Sequence, residues 1–267
     1  LTSEIDLSVA AIANSIGIVA AFFTLQPDYV NIQNLPMPGI IAIVLALISC
    51  FALGCITAFG VTWIGIPSFI MTLAIMQIAN GISAMLVRGQ IAYTFPDVVT
   101  ALGAGKFVIP LMESGLTVRW LTVFAIAVLI IAHLVLTYTR FGRYIYMVGG
   151  NRDAAEYSGV NVKFIIGSVM VICAMLCGIA GMLGVAYFGS AQQNQFDTFL
   201  LDAIAAVVVG GTSLFGGRGG IGNTVVGLLV LGVLNNGLDH INIDSFLKIL
   251  IRGLILLAAL IINVYAQ

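Results

Sequence analysis

The chain has 267 residues, of which 61% are apolar and only 8% are charged, and its mean hydropathy is +1.14. Soluble domains carry roughly a quarter charged residues. The composition therefore excludes a soluble domain, a disordered chain, a coiled coil and a disulfide-rich secreted domain, and it indicates an integral membrane protein. The formal net charge of −1 argues against binding to nucleic acid.

Long, continuous apolar runs predict an all-α polytopic membrane protein, because the strands of a membrane barrel would alternate apolar and polar residues instead. A run of about 20 residues crosses the hydrocarbon core as a helix. We expect about eight transmembrane or half-membrane helices, at residues 7–25, 39–63, 66–87, 119–137, 164–187, 200–216, 220–238 and 245–263. The run 200–216 is short and bounded by glycine, which favours a half-helix.

The basic residues predict the orientation. Four of the ten cations, Arg140, Arg143, Arg152 and Lys163, fall between residues 139 and 163, and the positive-inside rule places that connection in the cytoplasm. Counting spans from there puts residues 26–37, 88–118, 188–199 and 239–244 on the outer side. The cations Arg88, Lys106 and Arg119 then lie on the outer side, against the rule.

The start of the chain shows no leader. Leu1 is not preceded by an initiator Met, and neither a basic n-region nor a cleavage site follows it. We expect a chain without a signal peptide, from which an N-terminal portion is missing.

Two pairs of segments suggest an internal repeat. Residues 64–69 match residues 241–246 in their Ile, Ile, Ser and Phe positions, and residues 5–11 resemble residues 201–206, each with an Asp ahead of small residues. An odd number of predicted crossings separates the paired segments, so the halves would have opposite orientation. Inverted repeats of this kind are typical of transporters. Chance similarity between apolar segments is the alternative.

The residue inventory argues against an enzyme. His133 and His240 have no Cys or His partner at metal-ligand spacing, and Cys173 and Cys177 are expected to pack as small apolar residues. The glycine-rich stretch 210–220 lacks the Gly-Lys-Ser/Thr ending of a phosphate loop. It predicts close helix packing with a break in the helix, or a flexible cytoplasmic turn. We expect no catalytic residue, no metal site and no cofactor bound by this chain.

Polar residues inside apolar runs are candidates for a translocation pathway, because they are costly in a membrane unless they face water or a partner. Hydrogen bonding between helices is the alternative for each of them. Asp6 and Asp202 could instead cap helix N-termini, and no series of carboxylates and histidines suggests a proton relay. The candidates are Asp6, Ser8, Gln77, Asn80, Asp202, Thr212, Ser213, Asn235 and Asn236.

The cytoplasmic connection carries the clearest local signals. Residues 139–143 are predicted to end one helix. Asn151 can then cap a short amphipathic helix with Asp153 and Glu156 in its first turns and an Ala-Ala face, and Gly159 can end it. A capped helix outside the bilayer predicts docking of a soluble partner. Its candidate contact residues are Asn151, Arg152, Asp153, Ala154, Ala155, Glu156, Ser158 and Gly159.

Seven motifs in order make the chain resemble the permease subunits of bacterial ATP-binding-cassette (ABC) importers for monosaccharides, of the ribose-permease type. The motifs lie at residues 5–9, 66–73, 139–144, 149–160, 201–207, 210–217 and 235–238. The chain departs from the family at Ser3-Glu4, where Gly-Gly is usual, and at Ala10, where Gly is usual. It also does not show the family's additional upstream helices.

The resemblance implies a single permease domain over residues 1–267 in the bacterial inner membrane, with residues 151–160 as the coupling helix on an ATPase subunit. It further implies a permease dimer of two copies or two related subunits, a periplasmic sugar-binding protein, and ATP with Mg²⁺ on the ATPase partner only. An ion-coupled secondary carrier and an ABC permease for branched-chain amino acids are the alternatives.

Overall fold

The computed structural model describes residues 1–24, 37–93, 95–109 and 116–265. Within these ranges the chain forms helices, a π-helical turn (Gly60–Ile64) and one antiparallel hairpin of β1 (Lys106–Ile109) and β2 (Leu116–Arg119). The α-helices are α1 (Val9–Phe22), α2 (Gly39–Phe59), α3 (Ser68–Val87), α4 (Asp97–Ala104), α5 (Trp120–Tyr138), α6 (Arg140–Gly150), α7 (Arg152–Tyr157), α8 (Val162–Phe188), α9 (Asp197–Val209), α10 (Ile221–His240) and α11 (Ser245–Tyr265).

The eight apolar runs correspond to α1, α2 with its π-helical turn, α3, α5, α8, α9, α10 and α11, which confirms the all-α polytopic class. Part of the predicted outer connection 26–37 lies outside the described residues. The sequence did not predict α4, the hairpin or α6. The expectation that residues 139–143 end a helix is wrong, because α5 ends at Tyr138 and the Thr139 hydroxyl accepts a hydrogen bond from the Gly142 amide at the start of α6.

Among the residues that the structure describes, five helices are long and apolar enough to cross a membrane, in agreement with a multi-pass protein. They bury few of their residues inside the chain, and α5 buries none. Such wide exposure of large apolar side chains is unfavourable in water and suits contact with lipid. The five spans are Gly39–Ile64, Ser68–Val87, Trp120–Tyr138, Val162–Phe188 and Ile221–His240.

The chain divides into two compact units, and α5 and α8 each contribute to both. One unit contains residues 5–128 and 166–197, with α1 at its centre. Every residue of α1 from Ala10 to Ala21 is buried. Glycines bring the backbones of α1 and α8 together, because a Cβ atom on Gly181 would lie 2.2 Å from the Ala13 carbonyl oxygen.

The other unit contains residues 1–4, 129–165 and 198–267. Its apolar core joins Ala205 and Ala206 of α9 to Leu231 of α10, with Leu256 of α11 packed against them. Contact between α9 and α10 is so close that a Cβ atom on Gly227 would lie 1.8 Å from the Ala206 carbonyl oxygen.

One of the two proposed repeat pairs has matching local backbone. Gly65 has a φ of +83° and lies three residues before the start of α3, and Asn242 has a φ of +52° and lies three residues before the start of α11. The second pair does not match, since Asp6 precedes α1 whereas Asp202 lies inside α9. The opposite orientation of the halves stays a prediction.

Candidate coupling platform and intramembrane polar cluster

The short helix α7 begins and ends where the sequence predicts. The Asn151 side-chain oxygen accepts a hydrogen bond from the Ala154 amide at 3.0 Å, which caps the helix. Gly159 adopts a φ of +82°, and the Val160 amide donates to the Ala155 carbonyl at 3.0 Å across the C-terminal turn. This short helix is therefore specified by its own sequence.

Most of the surface of α7 faces outward. Among the predicted contact residues only Ala155 is buried, whereas Ala154 is exposed, so the two alanines do not form one face. The sequence analysis missed Tyr157, whose 92% exposure makes it available to a partner. The exposed members of the predicted set are Asn151, Arg152, Asp153, Ala154, Glu156, Ser158 and Gly159.

An ion pair joins α7 to the first residues of the chain. Arg152 donates from Nη2 to the Glu4 carboxylate at 2.6 Å and to the Thr2 carbonyl at 3.3 Å. The Glu4 side chain is only 8% exposed, while that of Arg152 is 48% exposed. Glu4 is one of the positions at which the chain departs from the family pattern, and it supplies the counter-charge to Arg152.

The glycine-rich loop of residues 210–220 packs against the same segment. The Gly217 amide donates to the Leu1 carbonyl at 2.9 Å, and the Ser3 hydroxyl donates to the Phe215 carbonyl at 2.6 Å. A Cβ atom on Gly149, near the end of α6, would lie 1.7 Å from the Leu1 carbonyl oxygen. Glycine here allows backbones to touch, as the close-packing interpretation predicts. We call residues 1–4, α6, α7 and residues 210–220 the coupling platform.

Two predicted pathway residues lie within this loop, and both are buried. Thr212 and Ser213 are 5% and 8% exposed. The Thr212 carbonyl accepts a hydrogen bond from Asn263 at 3.3 Å, and the Ser213 hydroxyl accepts one from the Phe215 amide at 3.2 Å. The Ser213 side chain therefore helps to shape the loop, whereas the Thr212 hydroxyl is buried without a hydrogen-bond partner in the described residues.

Asp6 and Ser8 interact with each other just before α1. The Asp6 carboxylate accepts hydrogen bonds from the Ser8 amide at 2.8 Å and from the Ser8 hydroxyl at 2.6 Å. The neighbouring Leu7 amide donates to the Thr72 hydroxyl of α3 at 3.2 Å. On α3 itself, Gln77 is exposed and Asn80 is half-buried. Asp6 thus lies near the N-terminus of α1 but does not cap it, because Ser8 is the N-cap residue and no side chain accepts from the first-turn amides.

Asp202 and Asn235 are brought together by a residue that the sequence analysis missed. Arg252 of α11 donates from Nη1 to Asp202 of α9 at 3.2 Å and from Nε to Asn235 of α10 at 2.9 Å. The capping role expected of Asp202 is wrong, because it is the sixth residue of α9. We call Asp202, Asn235 and Arg252 the polar cluster. Asn236 is exposed beside it.

A second ion pair joins α10 to α11 one turn away from the contact between Asn235 and Arg252. Lys248 of α11 is paired with Asp239 of α10. Asp239 follows Asn235 by four residues, and Lys248 precedes Arg252 by four, so the antiparallel helices α10 and α11 carry two polar rungs on facing surfaces. Lys248 and Arg252 lie inside an apolar run, where a cation needs a polar partner. These two cations were the signal in the sequence for both contacts.

Asn14 is a further polar residue that sequence reasoning missed. It is 2% exposed in α1. Its side-chain oxygen accepts from the Phe196 amide at 2.8 Å, and its side-chain nitrogen donates to Asp197 at 2.9 Å. Asn14 therefore fixes the connection that leads into α9. No group of three metal-ligating side chains occurs in the described ranges.

The chain was compared with protein families and with known proteins, and both comparisons point to transport-system permeases. The family model described as branched-chain amino acid transport system / permease component matches residues 2–260. The ribose import permease protein RbsC of Escherichia coli K12 is 35% identical over 98% of this chain and 78% of its own length. The D-allose transport system permease protein AlsC of the same strain is 33% identical over 98% and 76%, and its L-arabinose transport system permease protein AraH is 34% identical over 100% and 76%. No solved structure matches.

Proposed function

Because this chain belongs to the family of transport-system permease components whose model spans residues 2–260, we propose that it is the membrane permease subunit of a bacterial ABC importer for a monosaccharide. The family description mentions branched-chain amino acids, whereas the relatives at 33–35% identity are named for ribose, allose and arabinose. The resemblance drawn from the seven motifs is in line with these relatives. The chain itself transports and does not catalyse.

The observation that carries the proposal is the exposed, capped helix α7. A six-residue helix is not stable in isolation, yet the Asn151 cap and the C-terminal turn fix both of its ends, and its outer surface carries Tyr157 at 92% exposure. Aromatic side chains are enriched among the residues that dominate binding at interfaces. We propose that α7 is the coupling helix, and that its partner is a cytoplasmic ATPase that binds ATP and Mg²⁺.

The proposed mechanism passes motion from α7 into the membrane. Arg152 connects α7 to Glu4, and the chain runs on from Glu4 through Asp6 and Leu7 into α1. ATP binding and hydrolysis in the partner would move α7, and the Arg152–Glu4 ion pair would carry the movement to the segment that precedes α1. The permease would then alternate between outward and inward access. A second permease and a periplasmic sugar-binding protein complete the proposed importer.

A neutral sugar requires hydrogen-bonding groups along its path but no net charge. The polar residues predicted for the pathway supply amides, hydroxyls and carboxylates, and we propose that a subset of them contacts substrate. They are Asp6, Ser8, Gln77, Asn80, Asp202, Thr212, Ser213, Asn235 and Asn236. The loop position of Thr212 and Ser213 favours a role in shape for these two.

Ala154→Asp tests the coupling role. The Ala154 side chain is exposed, so the new carboxylate leaves the fold intact while placing a charge in the docking surface. We expect ATP-driven uptake of radiolabelled ribose to fall to background in cells that also express the ATPase and receptor genes adjacent to this one. Protein level and thermal unfolding should match wild type. Gly159→Trp is a poorer test, because the φ of +82° strains any larger residue.

The control is Ala154→Ser, which changes the same exposed position without adding a charge, and its uptake and thermal unfolding should match wild type. Wild-type uptake in Ala154→Asp would contradict the coupling role. Uptake by this chain alone in proteoliposomes would favour an ion-coupled carrier. ATP-driven uptake of leucine but of no sugar would favour an amino acid permease.

A further inference from the structure

The polar cluster leaves several hydrogen-bonding groups unused. Arg252 carries five guanidinium N–H groups, and it directs Nη1 to Asp202 and Nε to Asn235. Within the part of the chain that the structure describes, the remaining N–H groups, the second carboxylate oxygen of Asp202 and the amide nitrogen of Asn235 form no hydrogen bond. Donors and an acceptor therefore lie side by side on three helices without partners.

These groups lie inside the helical ends rather than at a loop. Asp202 follows the first residue of α9 by five residues, and Asn235 precedes the last residue of α10 by five, which places each about 7.5 Å along its helix. The side chains of Asp202 and Arg252 are nevertheless 28% and 32% exposed. Charged side chains in membrane segments face a protein interior or a water-filled cavity rather than lipid. Their partial exposure leaves the open side of the polar cluster accessible from outside the chain.

We infer that the open side of the polar cluster binds a neutral polyhydroxylated molecule, with Arg252 as the donor and Asp202 as the acceptor. The inference rests on the proposed sugar-import function and adds the residues that touch the sugar. The two charges neutralise each other, so what remains is hydrogen bonding without net charge. Each substrate hydroxyl both donates and accepts, and a neighbouring pair of hydroxyls matches a guanidinium beside a carboxylate. A zwitterion would have to break the Asp202–Arg252 pair.

The ion pair Asp239–Lys248, the outer rung, provides a control because it joins α10 to α11 one turn away from Asn235 and Arg252. Its Asp239 side chain is 66% exposed. Like the Asp202–Arg252 pair it joins one carboxylate to one cation of α11, but it has no partner on α9 in the described residues. A purely structural role would make the two rungs respond similarly to neutralisation, whereas a binding role would affect the inner rung alone.

The test measures binding to the purified chain in lipid nanodiscs by saturation-transfer difference NMR, with D-ribose as the probe. Asp202→Asn and Arg252→Gln together neutralise the Asp202–Arg252 ion pair, the inner rung, and remove the guanidinium donors and one carboxylate acceptor while keeping polar side chains. We expect the ribose signal to fall by about fivefold for each hydrogen bond lost. Neutralising the outer rung with Asp239→Asn and Lys248→Gln should leave the signal within about twofold.

A second variant, Arg252→Lys, keeps the charge opposite Asp202 but lacks the planar fork, and it should also weaken the ribose signal. If the double variant does not fold, the ribose signal of Arg252→Lys alone tests the inference. Equal signals from the inner-rung variants and wild type overturn the inference, as does a wild-type signal from L-leucine but none from ribose. Ribose uptake by wild type without any binding signal also overturns it.

ATP-driven uptake in cells separates this inference from the proposed function. If wild type imports ribose while both inner-rung variants import it at the wild-type rate, the polar cluster is not a substrate site and the importer assignment stands. If wild type imports no sugar with its ATPase and receptor present, the proposed function itself is wrong.

Discussion

Gly149→Ala should disrupt the coupling platform, and the neighbouring glycine gives its control. A Cβ atom at Gly149 would lie 1.7 Å from the Leu1 carbonyl oxygen and 2.7 Å from the Gly217 amide nitrogen. At Gly150, the next residue of α6, a Cβ atom would have no neighbour within 4 Å. The two substitutions add the same methyl group to the same helix, so their difference isolates the contact.

The magnitude follows from the distance. Relieving the Gly149 overlap requires the first residues of the chain or the glycine-rich loop to move by about 1.5 Å, and overpacking of this kind costs about 1–3 kcal/mol. The hydrogen bond from the Gly217 amide to the Leu1 carbonyl, now 2.9 Å, would be lost at a further cost of about 1 kcal/mol. Replacing Gly by Ala in a helix returns about 1 kcal/mol at either position. Gly149→Ala is then destabilising by about 1–3 kcal/mol.

Thermal unfolding of the purified protein measures the difference. For a chain of this size, about 1 kcal/mol shifts the midpoint by roughly 2–4 °C, so Gly149→Ala should unfold roughly 2–12 °C below wild type. Gly150→Ala should unfold at the wild-type temperature or slightly above. ATP-driven ribose uptake should fall in the first variant and persist in the second. Equal midpoints for the two variants would refute the close contact between α6 and the first residues of the chain.

Two further substitutions test the packing inside each unit. Gly227→Ala places a methyl group 1.8 Å from a carbonyl oxygen of α9 and should destabilise the protein by about 1–3 kcal/mol in thermal unfolding. Gly232→Ala, whose Cβ atom has no neighbour within 4 Å, should not destabilise it. A similar loss of stability in both variants would contradict the α9–α10 contact. Asn14→Ala removes two hydrogen bonds from a buried position and should cost about 1–3 kcal/mol. Ser15→Ala, which loses a bond only within its own helix, should cost less, and the reverse order would be contrary to the role given to Asn14.

The membrane helices could be predicted from the sequence because their positions are decided locally. In lipid a helix satisfies its own backbone groups, and a long apolar run is sufficient to specify it. The start and end of α7 were equally local, since Asn151 and Gly159 act on residues within one turn. By contrast, α4 and the hairpin lie between spans, where hydropathy carries no signal.

The partners of polar side chains could not be predicted in the same way. Asp202 and Asn235 were candidates, but Arg252 joins them only because α10 and α11 pack in one particular register. Glu4 looked like an unexplained departure from the family until its contact with Arg152 was seen. Pairings between residues distant in sequence depend on helix contacts that composition and local pattern do not contain.

The likeness between the segments that lead into α3 and α11 leads to a last prediction. Gly65 and Asn242 occupy corresponding positions and both have positive φ, although their residue types differ. Asn is the residue other than Gly that enters the left-handed region most readily. A sequence alignment counts this position as a mismatch, although both residues adopt a left-handed backbone conformation.

Gly65→Asn should therefore be tolerated and Gly65→Val should not. A Cβ atom at Gly65 would have no neighbour within 4 Å, so the first side-chain atom fits in both variants and we attribute their difference to the backbone conformation. A left-handed conformation costs a β-branched residue at least about 1–2 kcal/mol, so Gly65→Val should lower the unfolding midpoint by several degrees relative to Gly65→Asn. Asn242→Gly should be neutral or slightly stabilising. Equal midpoints for the Asn and Val variants would mean that φ does not limit this position, and the local match between the two segments would then have no consequence for stability.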